Sequence, residues 1–191
     1  MQITTHPTAA HSSESVSTSD TMSFLRINFN ELYRRHLGRH SQFGLNVLHL
    51  LAVYGIYFSI YSLAAIFVRT ITPVQDFAGQ ALILAILSIP YLVLLLANVP
   101  FIMFIATAVS IALIIVAALF ETTMPFWAHI ILIVLWHRFQ IWSHKRYALH
   151  QDMSEFTAKY PKGLYLFFLL AVYELPILLY YLLAGRRDWV R

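Results

Sequence analysis

Residues 77–120 run for 44 positions without one Asp, Glu, Lys or Arg. A single helix of that length would extend about 66 Å, roughly twice the hydrocarbon core of a bilayer. The segment must therefore turn, and Asn98-Val99-Pro100 is the break. Proline cannot donate to a helical hydrogen bond and pushes the residue before it away from helical geometry. Two spans follow, near 78–97 and 101–120. Pro90 kinks the first of them, which a membrane helix tolerates because its neighbours satisfy the freed carbonyl.

The rest of the chain supports the same medium. Only 12% of its 191 residues are charged and 59% are hydrophobic, whereas a soluble domain carries roughly 25% charged residues. Further spans are expected near 43–68, 125–144 and 164–184. The predicted fold class is all-α, an integral membrane bundle of about five transmembrane helices. Residues 1–22, rich in Ser and Thr, are expected to be disordered. In residues 23–42, Phe24, Leu25, Phe29, Leu32 and Leu37 alternate with Arg26, Arg34, Arg35 and Arg39 at helical spacing, as in an amphipathic helix lying in the headgroup plane. Residues 145–163 read as a polar loop and 185–191 as a basic tail.

The chain reads as a multi-pass protein of a bacterial inner membrane or an endomembrane, in contact with membrane lipid. The arginines before the first span favour a cytoplasmic N-terminus. Five crossings then place Lys145, Arg146, Lys159 and Lys162 in the cytoplasm as well. They send Arg186, Arg187 and Arg191 to the other side, against the rule, unless Pro176 turns the last segment back. The net charge of +4 lies beside apolar blocks and fits contact with anionic headgroups, with no nucleic-acid partner.

There is no cysteine, which excludes disulfides, thiolate metal sites and a thiol nucleophile. Any metal must be held by His, Asp or Glu, and two segments gather seven of the nine histidines. The first carries His36, His40, Asn46 and His49; the second carries His129, His137, Gln140, His144 and His150. His36 and His40 share a helical face, and His137, Gln140 and His144 form a polar stripe at i, i+3 and i+7. His129 lies about 12 Å further along the same helix and belongs to a different depth. Packing of the first and fourth spans would bring several imidazoles together. Histidine buried in lipid is costly unless paired or ligated, and imidazole-rich sites suit iron, zinc or copper. The candidate metal ligands are His36, His40, His49, His137, His144 and His150. Glu174, an acid inside an apolar segment, is the candidate catalytic residue: a ligand, a general acid/base, or the partner of a buried His or Arg. At the kink made by Pro176 it can equally bond a freed backbone group. Asp152 and Glu155 follow His150 and read as loop carboxylates. Tyr54, Tyr57 and Tyr61, also at i, i+3 and i+7, are expected to pack, with a lipid-shaped cavity as the other reading.

His40…Asn46…His49 and Gln140-Ile-Trp-Ser-His144 resemble two elements of the 2-hydroxy-fatty-acid dioxygenase family, a His/Asn/His element entering the first span and a Gln-x-x-x-His element ending a later one. Here the Asn-to-His spacing is one residue shorter, and the family's Gly-x-Pro and Pro-Ala are absent. The resemblance implies ferrous iron held by intramembrane histidines and oxidative chemistry on an acyl chain.

Three functions stay open. The first is an iron-dependent oxidoreductase acting on a lipid, with His49, His137 and His144 as ligands completed by His40 or Glu174; another divalent metal that binds His is the alternative cofactor. The second is a metal-free acid/base enzyme on a lipid or isoprenoid, using Glu174 and a histidine. The third is a non-catalytic subunit or assembly protein. A transporter is less in keeping with five spans that lack repeat symmetry. No phosphate-binding Gly loop or serine elbow is present.

Overall fold

The structure, a computed structural model, describes residues 26–40, 42–147 and 163–184, with the side chains of residues 38, 39, 165 and 166 outside the description. The expected tail at 1–22 and the basic segment 185–191 lie outside the described residues, as do His150, Asp152 and Glu155.

The described residues form six helices: α1 (Phe29–Arg39), α2 (Phe43–Ile71), α3 (Phe77–Asn98), α4 (Phe101–Phe120), α5 (Phe126–Arg146) and α6 (Leu164–Leu183). No strand occurs among them. The uncharged block breaks at Val99-Pro100, and Pro90 sits inside α3. The expected interfacial helix is shorter than 23–42. Its N-cap is Asn28, whose side chain accepts from the Glu31 amide at 3.2 Å, and the Glu31 carboxylate favours the positive helix N-terminus.

Among the described residues three helices, α2, α3 and α4, of the five spans expected, are long and apolar enough to cross a membrane. α5 has suitable length, but Arg138, Gln140, His144, Lys145 and Arg146 dilute its apolar character. The described apolar stretch of α6, Phe167–Leu183, is too short to qualify. The outer surface is nevertheless greasy: Ile102 is 69% exposed and Phe120 74%, a burden of apolar contact with water that a lipid environment removes.

α2 is the central helix and packs against α3, α4, α5 and α6. Its buried face is built from small residues, Ala52, Ser59, Ser62 and Ala65, which let backbones approach closely where no hydrophobic drive exists between helices. Gly55 lies against the Trp136 indole so tightly that a Cβ there would come within 2.2 Å of Cε2. Several buried hydroxyls are satisfied within their own helices, as in Ser88 to the Leu84 carbonyl at 2.8 Å and Thr107 to Met103 at 2.7 Å. Others bond across helices: Tyr54 with Ser110 and Tyr61 with Ser88, each at 2.7 Å.

The course of α6 departs from a simple up-and-down bundle. Tyr147, just past α5, lies against Gly44 at the start of α2. Tyr180, near the end of α6, packs edge-on against Phe29 and Tyr33 of α1, with centroids 5.4 and 4.7 Å apart. Between these levels Val172 faces Tyr91 and Glu174 faces His49. So α5 and α6 run in the same direction, and both end on the side where α1 lies. Pro176 leaves the Val172 carbonyl without its helical donor, and the Tyr91 hydroxyl supplies one at 3.0 Å. Tyr57 in turn donates to the Tyr91 hydroxyl at 3.1 Å. The freed backbone group is thus taken by a tyrosine, which leaves the Glu174 side chain for other partners.

Candidate metal centre

The corner between α1 and α2 is held by Asn46, which is fully buried. Its amide nitrogen donates to the His40 carbonyl at 2.5 Å and the Gln42 carbonyl at 2.9 Å. With the nitrogen so used, its oxygen accepts from His36 Nε2 at 2.7 Å. This fixes His36, whose ring stacks on His40 with centroids 4.2 Å apart and planes 7° from parallel. A second tie holds α1 from its other end: the Ile27 amide donates to Asn98 Oδ1 at 2.8 Å, so the α3–α4 break anchors the entry to the first helix.

Three imidazoles then converge from three elements. His40 caps the C-terminus of α1, His49 stands two turns into α2, and His144 is in the last turn of α5. Their ring centroids are pairwise 4.6 Å apart. One ligand nitrogen from each lies within 4.8 Å of the other two, and His40 Nε2 is 3.2 Å from His144 Nε2. His40 and His49 are buried. His49 Nδ1 bonds Glu174 Oε1 at 3.1 Å, and Gln140 Nε2 donates to the same oxygen at 3.1 Å. His49 Nε2 has no hydrogen-bond partner.

The other candidates fall elsewhere. His36 turns its Nε2 to Asn46. Burial pushes its pKa down to about 4 against a partial offset from that hydrogen bond, so the ring is neutral at pH 7. His137 is exposed and lines the cavity described below, outside the converging trio. His150 is not among the described residues. His129 is fully buried at the opposite end of the bundle, where Nε2 meets Glu121 Oε2 at 3.2 Å. Nearby, Arg69 donates to Gln80 Oε1 at 3.0 Å and to the Leu119 carbonyl at 2.8 Å. Partial burial opposes ionisation of Glu121. The amides of Met124 and Thr123 and the Thr123 hydroxyl outweigh it, holding the carboxyl down at about 2.

A cavity of ≈ 680 Å³ opens beside the trio, lined by α1, α2, α5 and α6. Its most distant lining residues on α2 and α5 are Ile60 and Ile133. Each lies eleven residues along its helix from His49 or His144, about 16 Å at helical rise. The walls are apolar, with Val53, Ile56, Val134 and Phe168 among them, and the polar groups gather at the histidine end, where Arg35 and Glu174 also line the space. Tyr57 reaches the cavity, whereas Tyr61 is engaged with Ser88. Arg35, ion-paired with Glu31, was not singled out by the sequence. Its spacing from Leu32 and its adjacency to His36 are the only signal there.

The donor set suits a metal that favours nitrogen ligands. Three imidazoles, one with an unsatisfied buried nitrogen, meet at a distance a single ion can bridge, and Asn46 and Glu174 fix the flanking groups. No protein-family model matches the chain, and no curated protein or solved structure matches it.

Proposed function

We propose that the protein is a metal-dependent membrane oxidoreductase that holds iron through His40, His49 and His144 and acts on a lipid or a single acyl chain. The observation that carries this reading is the position of the trio at the polar end of an apolar cavity that extends about 16 Å along α2 and α5. Iron bound there would supply oxygen activation through its open coordination positions. The chain's own residues bind and orient. Val53, Ile56, Ile60 and Phe168 offer an apolar wall for the chain of a substrate, which contact with them removes from water. Arg35, ion-paired with Glu31, places a guanidinium at the histidine end, where an acidic headgroup or carboxylate would compete for it. His36, neutral and stacked on His40, shields that ring from solvent. The resemblance around His40, Asn46, His49, Gln140 and His144 points the same way.

In this reading the protein crosses the membrane several times with α1 on the cytoplasmic face. The arginines of α1 support that orientation, and α6 ends on the same side as α1. The test is elemental analysis of protein purified in detergent. Near-stoichiometric iron in wild type and its loss in His144→Ala is the expected result; folded, fully metal-free wild type that cannot be loaded would overturn the reading.

One observation favours a second reading. The His49–Glu174 contact at 3.1 Å is the geometry of a proton donor and acceptor pair facing an apolar cavity, as a metal-free acid/base enzyme on a lipid would need. Lipid turnover that survives strong chelation and fails in Glu174→Gln would select it.

A further inference from the structure

We infer that Glu174 is not a ligand but a positioning residue, and that Gln140, Glu174 and His49 form a relay from three helices that sets which nitrogen of His49 faces the metal. The inference rests on the metal reading above. A carboxylate only accepts hydrogen bonds, so its contact with His49 Nδ1 at 3.1 Å places the ring proton on Nδ1. The other nitrogen, Nε2, is then a bare lone pair, and it is the one buried atom of that ring without a partner. Oε1 is used twice, by His49 and by Gln140 Nε2, so the carboxylate is itself held from α5.

A metal-binding histidine whose second nitrogen bonds a carboxylate is fixed in tautomer and orientation and becomes a stronger donor. The sequence offers Glu174 as the partner of a buried His among other roles; that the partner is His49 and that Gln140 joins it depends on contacts between residues far apart along the chain. The local fold supplies it: Tyr91 takes the Val172 carbonyl that Pro176 frees, so the Glu174 side chain remains available to α2.

The test strips the purified full-length protein of metal with a chelator and titrates it with cobalt(II) in detergent, reading the visible ligand-field bands for affinity and the hyperfine-shifted proton spectrum for the relay. Wild type should bind one cobalt and show an exchangeable, strongly shifted N–H protected from solvent, the Nδ1 proton of His49. Glu174→Gln keeps an oxygen acceptor but loses the charge, and should weaken cobalt binding about tenfold. Glu174→Leu loses both, and should weaken it about a hundredfold and abolish the protected N–H signal. A merely structural role would not give this graded series or remove one proton resonance. Wild-type binding with both variants within twofold, and the signal retained, would overturn the relay and leave the metal reading standing. Wild type that takes up no cobalt would overturn the metal reading and the relay with it.

Discussion

His40 Nε2 lies 3.2 Å from His144 Nε2, although the two residues are 104 positions apart. Two imidazole nitrogens so close cannot both carry a proton without repulsion, and a shared cation relieves that constraint. His40→Ala and His144→Ala should each abolish metal uptake, and His49→Ala should do the same. His137→Ala, a change at an exposed cavity residue outside the trio, should retain more than half of it. Elemental analysis of the four variants, alongside wild type, checks the assignment.

The close approach of α2 and α5 sets the distance between His49 and His144. Gly55→Ala drives a methyl into the Trp136 ring, an overpacking that should cost about 1–3 kcal/mol and weaken metal binding by moving α5. In a Trp136→Ala background the same change should cost nothing further. Unfolding in mixed micelles with metal titration of the double-mutant cycle measures the coupling.

Tyr91 and Pro176 should be coupled. Tyr91→Phe leaves the Val172 carbonyl unsatisfied in an apolar setting, at a cost of about 1 kcal/mol. Pro176→Ala restores a backbone donor for that carbonyl, so Tyr91→Phe in that background should cost less, with only the lost Tyr57 hydrogen bond remaining. A stability cycle over the two positions reads the difference.

At the opposite end, Glu121 is held at about 2, below its ordinary 4.5. The folded chain thus gives up this proton more readily than the unfolded one. The stabilisation is complete above pH 4.5 and is lost as pH falls from 4.5 through about 2. Glu121→Gln should be less stable than wild type at pH 7, and the gap should close over that window. Thermal unfolding of both proteins in detergent from pH 2 to 7 follows it.

The helical class, the break at Val99-Pro100 and the starts of α2 and α4 were legible in the sequence, because backbone satisfaction and proline chemistry are local. The two histidine segments were legible as candidates for the same reason: helical period puts Gln140 and His144 on one stripe. Among the described residues, α2, α3 and α4 of the five expected crossings are long and apolar enough to span. Apolar content along α5 and α6 measures burial of any kind, in lipid or against protein, and α6 packs against α2 and α4.

The sequence by itself determined the medium, the helix breaks and the kinds of ligand available, since hydrophobicity, proline and residue type act within a few positions. Only the tertiary structure decided that His40, His49 and His144 meet while His36 turns to Asn46 and His137 stays apart, and that α6 runs parallel to α5. Those outcomes depend on which helix faces are brought together, and that is fixed by small-residue contacts such as Gly55 against Trp136 and by long-range hydrogen bonds such as Tyr91 to Val172, whose partners are not adjacent in the chain.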